Sequence, residues 1–185
     1  DGLPGQGYIG FGDWDELEGL SAMSASVWFY KDGTLMSKGS AAYGQLIGKR
    51  NQFHFYFHKD NDYLFIVLNG TSSHIILAGP GPGEYTFPDG WYHLGVSWDG
   101  ADLTGYINGI ETASDASTGT LASTDYNLEF GRYAGGGYFE GGVADVRLYG
   151  TALTSGNMVT LAAINPATDV SGNYADPDDA LGALG

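Results

Sequence analysis

The stretch QFHFYFH at Gln52–His58 sets Phe53, Phe55 and Phe57 on one side of an extended chain and His54, Tyr56 and His58 on the other. The phenylalanines are core. The opposite row of imidazole, phenol and imidazole can lay ring faces against a sugar and hydrogen-bond its hydroxyls, the combination that sugar recognition needs. An outer sheet face must carry polar side chains for solvent or a covering partner in any case, and that plainer role stands beside the first. His54 and His58 are i and i+4, too far apart along a strand to hold one metal ion together. A second stretch, GRYAGGGYFEGG at Gly131–Gly142, has no lysine and no helix start after it, so it is not a phosphate cradle. Its Tyr133, Tyr138 and Phe139 give it the aromatic character of recognition loops, with a simple surface loop as the alternative. His93 reads as structural, and Asp145 and Arg147, two residues apart, read as an ion pair on one face.

These residues need rigid neighbours, and the clearest are in WYHLGVSWDGADLTGYINGIE at Trp91–Glu111. Tyr92, Leu94, Val96 and Trp98 alternate with His93, Gly95 and Ser97, the period of a half-buried strand. Asp99-Gly100 makes a tight connection, and the returning run Leu103–Ile107 ends at Asn108-Gly109, a hairpin signal. The segment is an antiparallel meander.

Short apolar runs recur along the rest of the chain: Tyr8–Phe11, Met23–Tyr30, Gln45–Lys49, Tyr63–Leu68, His74–Ala78, Glu84–Phe87, Tyr126–Gly131 and Val143–Tyr149. Their spacing, and 31 glycines among many Ser, Thr, Asn and Asp residues, predict an all-β sandwich or barrel. The helical exception is TALTSGNMVTLAAI, where Thr154 or Ser155 caps a short helix that turns Met158, Leu161 and Ala162 inward and plugs an edge or end of the sandwich. Residues 1–7 are a lead-in, 8–164 the domain and 165–185 an extended arm or linker, or an arm that wraps a neighbour. DVSGNYAD in the arm is no EF-hand loop, because Tyr174 stands where the turn demands glycine.

The 185 residues, 43% hydrophobic and 14% aromatic, suffice for one substantial core. A net charge of −15, from 22 acidic and 7 basic residues, makes nucleic acid and anionic membranes unsuitable partners and favours a solvated, cation-tolerant surface. Zero cysteines exclude disulfides, thiolate zinc sites and cysteine nucleophiles. No run approaches the ~20 apolar residues of a membrane-spanning helix. A start at Asp1 without a signal pattern suggests a processed product or part of a longer chain, for which export is plausible.

MSASVWFY at Met23–Tyr30, DNDYLFIV at Asp60–Val67, the Trp91–Glu111 meander, LEFGR at Leu128–Arg132 and FEGGVADVRLYGTALT at Phe139–Thr154 together resemble the laminin-G-like and pentraxin-like domains. The resemblance spans roughly residues 8–164. It implies a jelly-roll β-sandwich of two curved antiparallel sheets, of the concanavalin A type, with a short helix after the last strand. The pentraxin disulfide falls at Ser26 and Gly95, so both partners are absent here. The Ile-Asp-Glu that opens the last strand in many laminin-G-like domains is Val143, Ala144 and Asp145. Asp60-Asn61 resembles a pentraxin calcium pair, to which Asp62 can add an oxygen, so Ca2+ is an implied cofactor, with a polar hairpin turn as the alternative. The family's further ligands after the strand like LEFG are replaced by Arg132, Tyr133 and glycines. DWDELE at Asp13–Glu18 is weighed against the paired carboxylates of glucanases on this superfold, but it opens with Asp and lies in a glycine-bounded loop.

The reading that follows is a non-catalytic extracellular recognition or adhesion module, lectin-like, binding glycans or a surface protein through loops and one sheet face. His54, Tyr56, His58, Tyr133 and Tyr138 are the candidate contacts, and Asp60, Asn61 and Asp62 the candidate metal ligands. The competing class is a structural assembly protein, such as a virion decoration, fibre or filament subunit, that uses the sandwich and C-terminal arm for contacts with its own copies.

Overall fold

A computed structural model describes residues 7–31, 37–39, 43–58, 63–70, 73–78, 87–133 and 136–164. In chain order the strands are β1 (Ile9–Gly10), β2 (Met23–Lys31), β3 (Ser37–Gly39), β4 (Tyr43–Lys49), β5 (Phe53–His58), β6 (Leu64–Leu68), β7 (Ser73–Ala78), β8 (Gly90–Trp98), β9 (Asp102–Ile107), β10 (Ile110–Ala116), β11 (Leu128–Phe130), β12 (Arg132–Tyr133), β13 (Gly137–Phe139) and β14 (Gly142–Tyr149). One helix, α1 (Ser155–Ala163), follows. Two antiparallel sheets face each other, one ordered β1-β11-β4-β5-β6-β7 and the other β10-β9-β8-β2-β14, with β12-β13-β3 as a three-stranded flank. This is the jelly-roll sandwich expected.

Period-2 alternation builds the core. Phe53, Phe55 and Phe57 of β5 and Leu64, Ile66 and Leu68 of β6 face Val27 and Phe29 of β2 and Leu94, Val96 and Trp98 of β8, all buried. Phe29 has its ring 5.3 Å from Phe57 and 5.6 Å from Tyr92. Phe139, read from sequence as part of an adhesive loop, instead stacks on Phe57 at 5.9 Å and is 8% exposed. Two residues on, Gly141 lies at φ 154°, where a side chain would meet the Tyr30 carbonyl and, at 2.9 Å, the Phe139 ring, so glycine leaves room for that ring.

The meander forms as read: Asn108 and Gly109 both have positive φ, 52° and 78°, the signature of the tightest hairpin turn. Asp99 closes the other connection, its Oδ1 accepting the N–H groups of Ala101 at 2.9 Å and Asp102 at 2.8 Å. Phe87 is buried, while the rest of the expected Glu84–Phe87 strand falls outside the described residues, as does the arm 165–185.

Thr154 caps α1, and Asn157 returns its side chain to the Thr154 backbone, a full capping box. The helix lies over the outer face of the second sheet and does not plug an end, because Ser24 and Ser97 of that face hold the preceding residue. Leu153 N–H donates to Ser24 Oγ and the Leu153 carbonyl accepts from Ser97 Oγ, both at 2.8 Å. Met158 and Leu161 are buried against Tyr106.

Candidate functional site

The open face of the first sheet gathers most of the expected contacts. In β5, His54, Tyr56 and His58 point away from the core phenylalanines and pair across the ladder with Gly48, Gln45 and Tyr43 of β4. A bulge between Gln45 and Ile47 sends both Leu46 and Ile47 into the core and returns Gly48 to the open face. Tyr56 stacks on Phe65 of β6 at 5.3 Å and meets Tyr43 at 4.5 Å. Tyr133, brought in by β12, has its ring 5.2 Å from Tyr43, 5.0 Å from His54 and 5.9 Å from Tyr56. His58 packs on Tyr43 at 5.5 Å. Tyr138 sits opposite Arg132 in the β12–β13 ladder and, among the described residues, makes no ring contact with this group.

Beside the rings lies a cleft of about 230 Å³ lined by Gln45, Gly48, His54 and Glu129, with Arg132 and Arg50 at its sides. Gln45 Nε2 donates to the carbonyls of Arg132 at 2.5 Å and Glu129 at 3.3 Å, which turns its Oε1 toward His54 Nδ1 at 2.7 Å. Nδ1 therefore carries the proton and Nε2 keeps its lone pair. Burial, with the Arg50 charge added, lowers the His54 pKa to about 4, so the ring is neutral at pH 7. Burial, with Tyr43 and Tyr133 nearby, raises the Tyr56 phenol to about 12, and burial raises Tyr133 too, so both remain O–H groups.

Arg132 grips Glu129 with both Nε and Nη2 and sits 3.5 Å above the Tyr8 ring. Arg50 lies over the Tyr126 ring at 4.8 Å. The sequence reading missed Gln45, Glu129, Arg50 and Arg132. Gln45 could have been found from β4 had the bulge been known, since Tyr43 and Gln45 alternate as the β5 row does.

Gly48 keeps the cleft open. A Cβ there would stand 2.7 Å from Gln45 Oε1, 2.8 Å from His54 Nδ1 and 2.8 Å from the Phe53 carbonyl. Gly48→Ala is expected to cost about 1–3 kcal/mol through this overpacking, measured by urea denaturation. Unchanged stability would mean that the Gln45–His54 bond gives way freely.

The acidic turn Asp13–Glu18 has a structural task. Oxygens of Asp13, Asp15 and Glu18 come within 4.8 Å of one another. Lys49 Nζ, on a side chain with no exposure, supplies their cation at 2.7 Å from Asp13 and 3.1 Å from Glu18. The Thr124 N–H, then Lys49, lowers the Glu18 pKa.

A family model described as the concanavalin A-like lectin/glucanases superfamily matches residues 3–157. The chain belongs to that superfamily. A comparison with curated proteins returned no match. Among solved structures, this superfamily member is similar to domain 4 of AbnA, an extracellular arabinanase from Geobacillus stearothermophilus, in complex with arabinotriose. The two are 22% identical with a TM-score of 0.62, covering 86% of this chain and 74% of that one. The heptameric SAP-like pentraxin from Limulus polyphemus is 18% identical, TM-score 0.57, covering 88% and 78%. The binding domain of Paraclostridial Mosquitocidal Protein 1 is 14% identical, TM-score 0.59, covering 84% and 40%. These likenesses are of fold.

Two expectations drawn from pentraxins now have a structural setting in this lectin/glucanase-type sandwich. Ser26 and Gly95 are direct partners in the β2–β8 ladder, and a Cβ on Gly95 would stand 2.7 Å from Met158 Sδ. Helix packing therefore occupies the place the resemblance assigns to a disulfide. Ser26 instead shares a 2.8 Å hydrogen bond with His93 Nε2, which makes His93 structural, as read. Asp60, Asn61 and Asp62 lie outside the described residues, and after β11 an ion-paired Arg132 stands where pentraxins place calcium ligands. Asp145, at φ 47° beside the β14 bulge, pairs with Arg147 at 2.8 Å as expected.

Proposed function

We propose that this chain is a non-catalytic, lectin-like recognition module, acting outside the cell, that binds glycan on the open face of its six-stranded sheet. The observation that carries the reading is Tyr133 packed with Tyr43, His54 and Tyr56 beside the Gln45–His54 cleft. Ring faces there suit the apolar side of a sugar, while the phenol donors and the His54 Nε2 acceptor suit its hydroxyls. Rigid, pre-oriented polar groups lower the ordering cost of binding a flexible oligosaccharide. The arabinotriose complex of the AbnA domain supports the same class of ligand on the same fold. Among the described residues no helix is long and apolar enough to cross a membrane.

A glycan array followed by calorimetry tests this. Tyr133→Ala is expected to weaken the best ligand about tenfold or more, roughly 1.4 kcal/mol, with the melting temperature close to that of the parent. An array without hits, or full affinity in the variant, removes the reading. Calcium titration tests Asp60, Asn61 and Asp62 as metal ligands, and an unchanged melting temperature takes calcium out of the proposal. The assembly alternative drew on residues 165–185, which lie outside the described residues. The β14 edge, with its bulge and its Asp145–Arg147 pair, has features that discourage strand-to-strand assembly.

A further inference from the structure

The charges around the cleft do not balance. In a chain with 22 acidic and 7 basic residues, cations should find carboxylates easily. Lys49 has Asp13 and Glu18, Arg132 has Glu129, and Arg147 has Asp145. Arg50, at the β4–β5 turn, is exposed and lies over the Tyr126 ring, and among the described residues it has no carboxylate partner. It lines the same cleft as His54, Glu129 and Arg132. Glu129 is spent on Arg132 and His54 is neutral, so one uncompensated positive charge is left, on a planar guanidinium held against a ring.

We infer that this cleft selects a glycan bearing a carboxylate, a uronic or sialic acid residue, with Arg50 as the group that pairs with it. The inference rests on the lectin-like reading above and names its ligand class. A guanidinium fork matches the two oxygens of a carboxylate, and stacking on Tyr126 orients the fork at little ordering cost. The division of contacts follows from the His54 tautomer. Nε2 offers a lone pair, which would repel a carboxylate and accept from a sugar hydroxyl, so the acid goes to Arg50 and a hydroxyl to His54. At about 230 Å³ the cleft is smaller than usual ligand pockets of ~300–1,000 Å³, so it takes a single ring while the rest of an oligosaccharide runs over Tyr133 and Tyr56. Densely sulfated polymers are disfavoured, since the one uncompensated cation among the residues lining the cleft cannot offset their repulsion from a chain of net charge −15.

The test is a set of matched binding isotherms: oligouronates of several backbones and their carboxyl-reduced forms, sialosides and their asialo forms, and heparin. The full chain and its Arg50→Gln and Arg50→Lys variants are compared. At least one acidic ligand should bind about tenfold tighter than its neutral counterpart. Arg50→Gln should erase that ratio and Arg50→Lys retain part of it, with heparin binding no better than the neutral sugars. The uronate and sialoside arms show which acid is taken. Equal affinity within every pair, a ratio that survives in Arg50→Gln, or preferred heparin binding overturns the inference and leaves the lectin-like reading standing. No binding of any glycan overturns both.

Discussion

Lowering the pH from 7 to 4 is expected to remove about 3 kcal/mol of stability for each of His54 and His93. His93 has no exposed surface, its Nε2 is engaged by Ser26, and burial, then Arg147, lowers its pKa to about 4. His54 reaches about 4 through its own burial and Arg50. Because both folded values lie below the unfolded 6.5, the unfolded chain binds more protons between those limits. Stability is therefore complete above about pH 6.5, falls as the pH drops toward 4, and takes no further histidine loss below that. The lowered pKa values of Glu18 and Asp99 push the same way at lower pH, through the backbone N–H groups they accept. Two such losses rival the whole stability of an ordinary domain, about 5–15 kcal/mol, so the protein should unfold in mild acid. Urea denaturation at stepped pH, with NMR titration of the imidazoles, measures this. Ring pKa values near 6.5 with stability flat from pH 7 to 5 would refute it.

Lys49→Ala should cost about 3 kcal/mol. The lysine leaves β4 toward the core side, opposite Phe53 and Leu128, and reaches the turn before β2. Its Nζ binds Asp13, Glu18 and the Trp14 carbonyl, the last at 3.2 Å. Burial alone would lower its pKa, but the hydrogen bonds to Asp13 and Glu18 prevail and raise it, so it stays charged. Removing it leaves the acidic cluster without a cation. Asp13 and Glu18 are 33% and 24% exposed, and water relieves part of that loss, which keeps the cost at the low end for a broken buried pair. Lys49→Met keeps the apolar stem and should lose less. Chemical denaturation of both variants measures the order, and an alanine variant within about 0.5 kcal/mol of the parent would show that the turn is held by something else.

Both predictions turn on long-range neighbours, and the sequence was readable only where neighbours are local. The alternation in QFHFYFH depends on backbone period alone, and it divided the β5 phenylalanines from His54, Tyr56 and His58 correctly. The hairpin at Asn108-Gly109 and the Asp145–Arg147 pair are set within a few residues and were equally visible. The cap was narrowed to Thr154 or Ser155 for the same reason, and the structure takes Thr154, whereas the place where α1 docks was not seen, because it depends on Ser24 and Ser97 far along the chain.

The candidate site divides in the same way. A β4 bulge that no residue type announces decides that Gly48 faces His54, and the pairing of β11 with β4 decides that Glu129 and Arg132 arrive beside Gln45. Phe139 was misread because aromatic-glycine sequence is the same in a loop and in a core strand until burial distinguishes them.

By itself, then, the sequence determined an all-β sandwich or barrel, most of its strands and the aromatic row on the open face, since periodicity and turn chemistry act over a few residues, and the family resemblance narrowed this to the sandwich. Only the tertiary structure decided that Lys49 neutralises the acidic turn, that His54 is a neutral acceptor, and that Arg50 alone among the described arginines lacks a carboxylate. Charge pairing, desolvation and tautomer are properties of atoms brought within a few ångströms by strands distant in the chain, and folding is what brings them there.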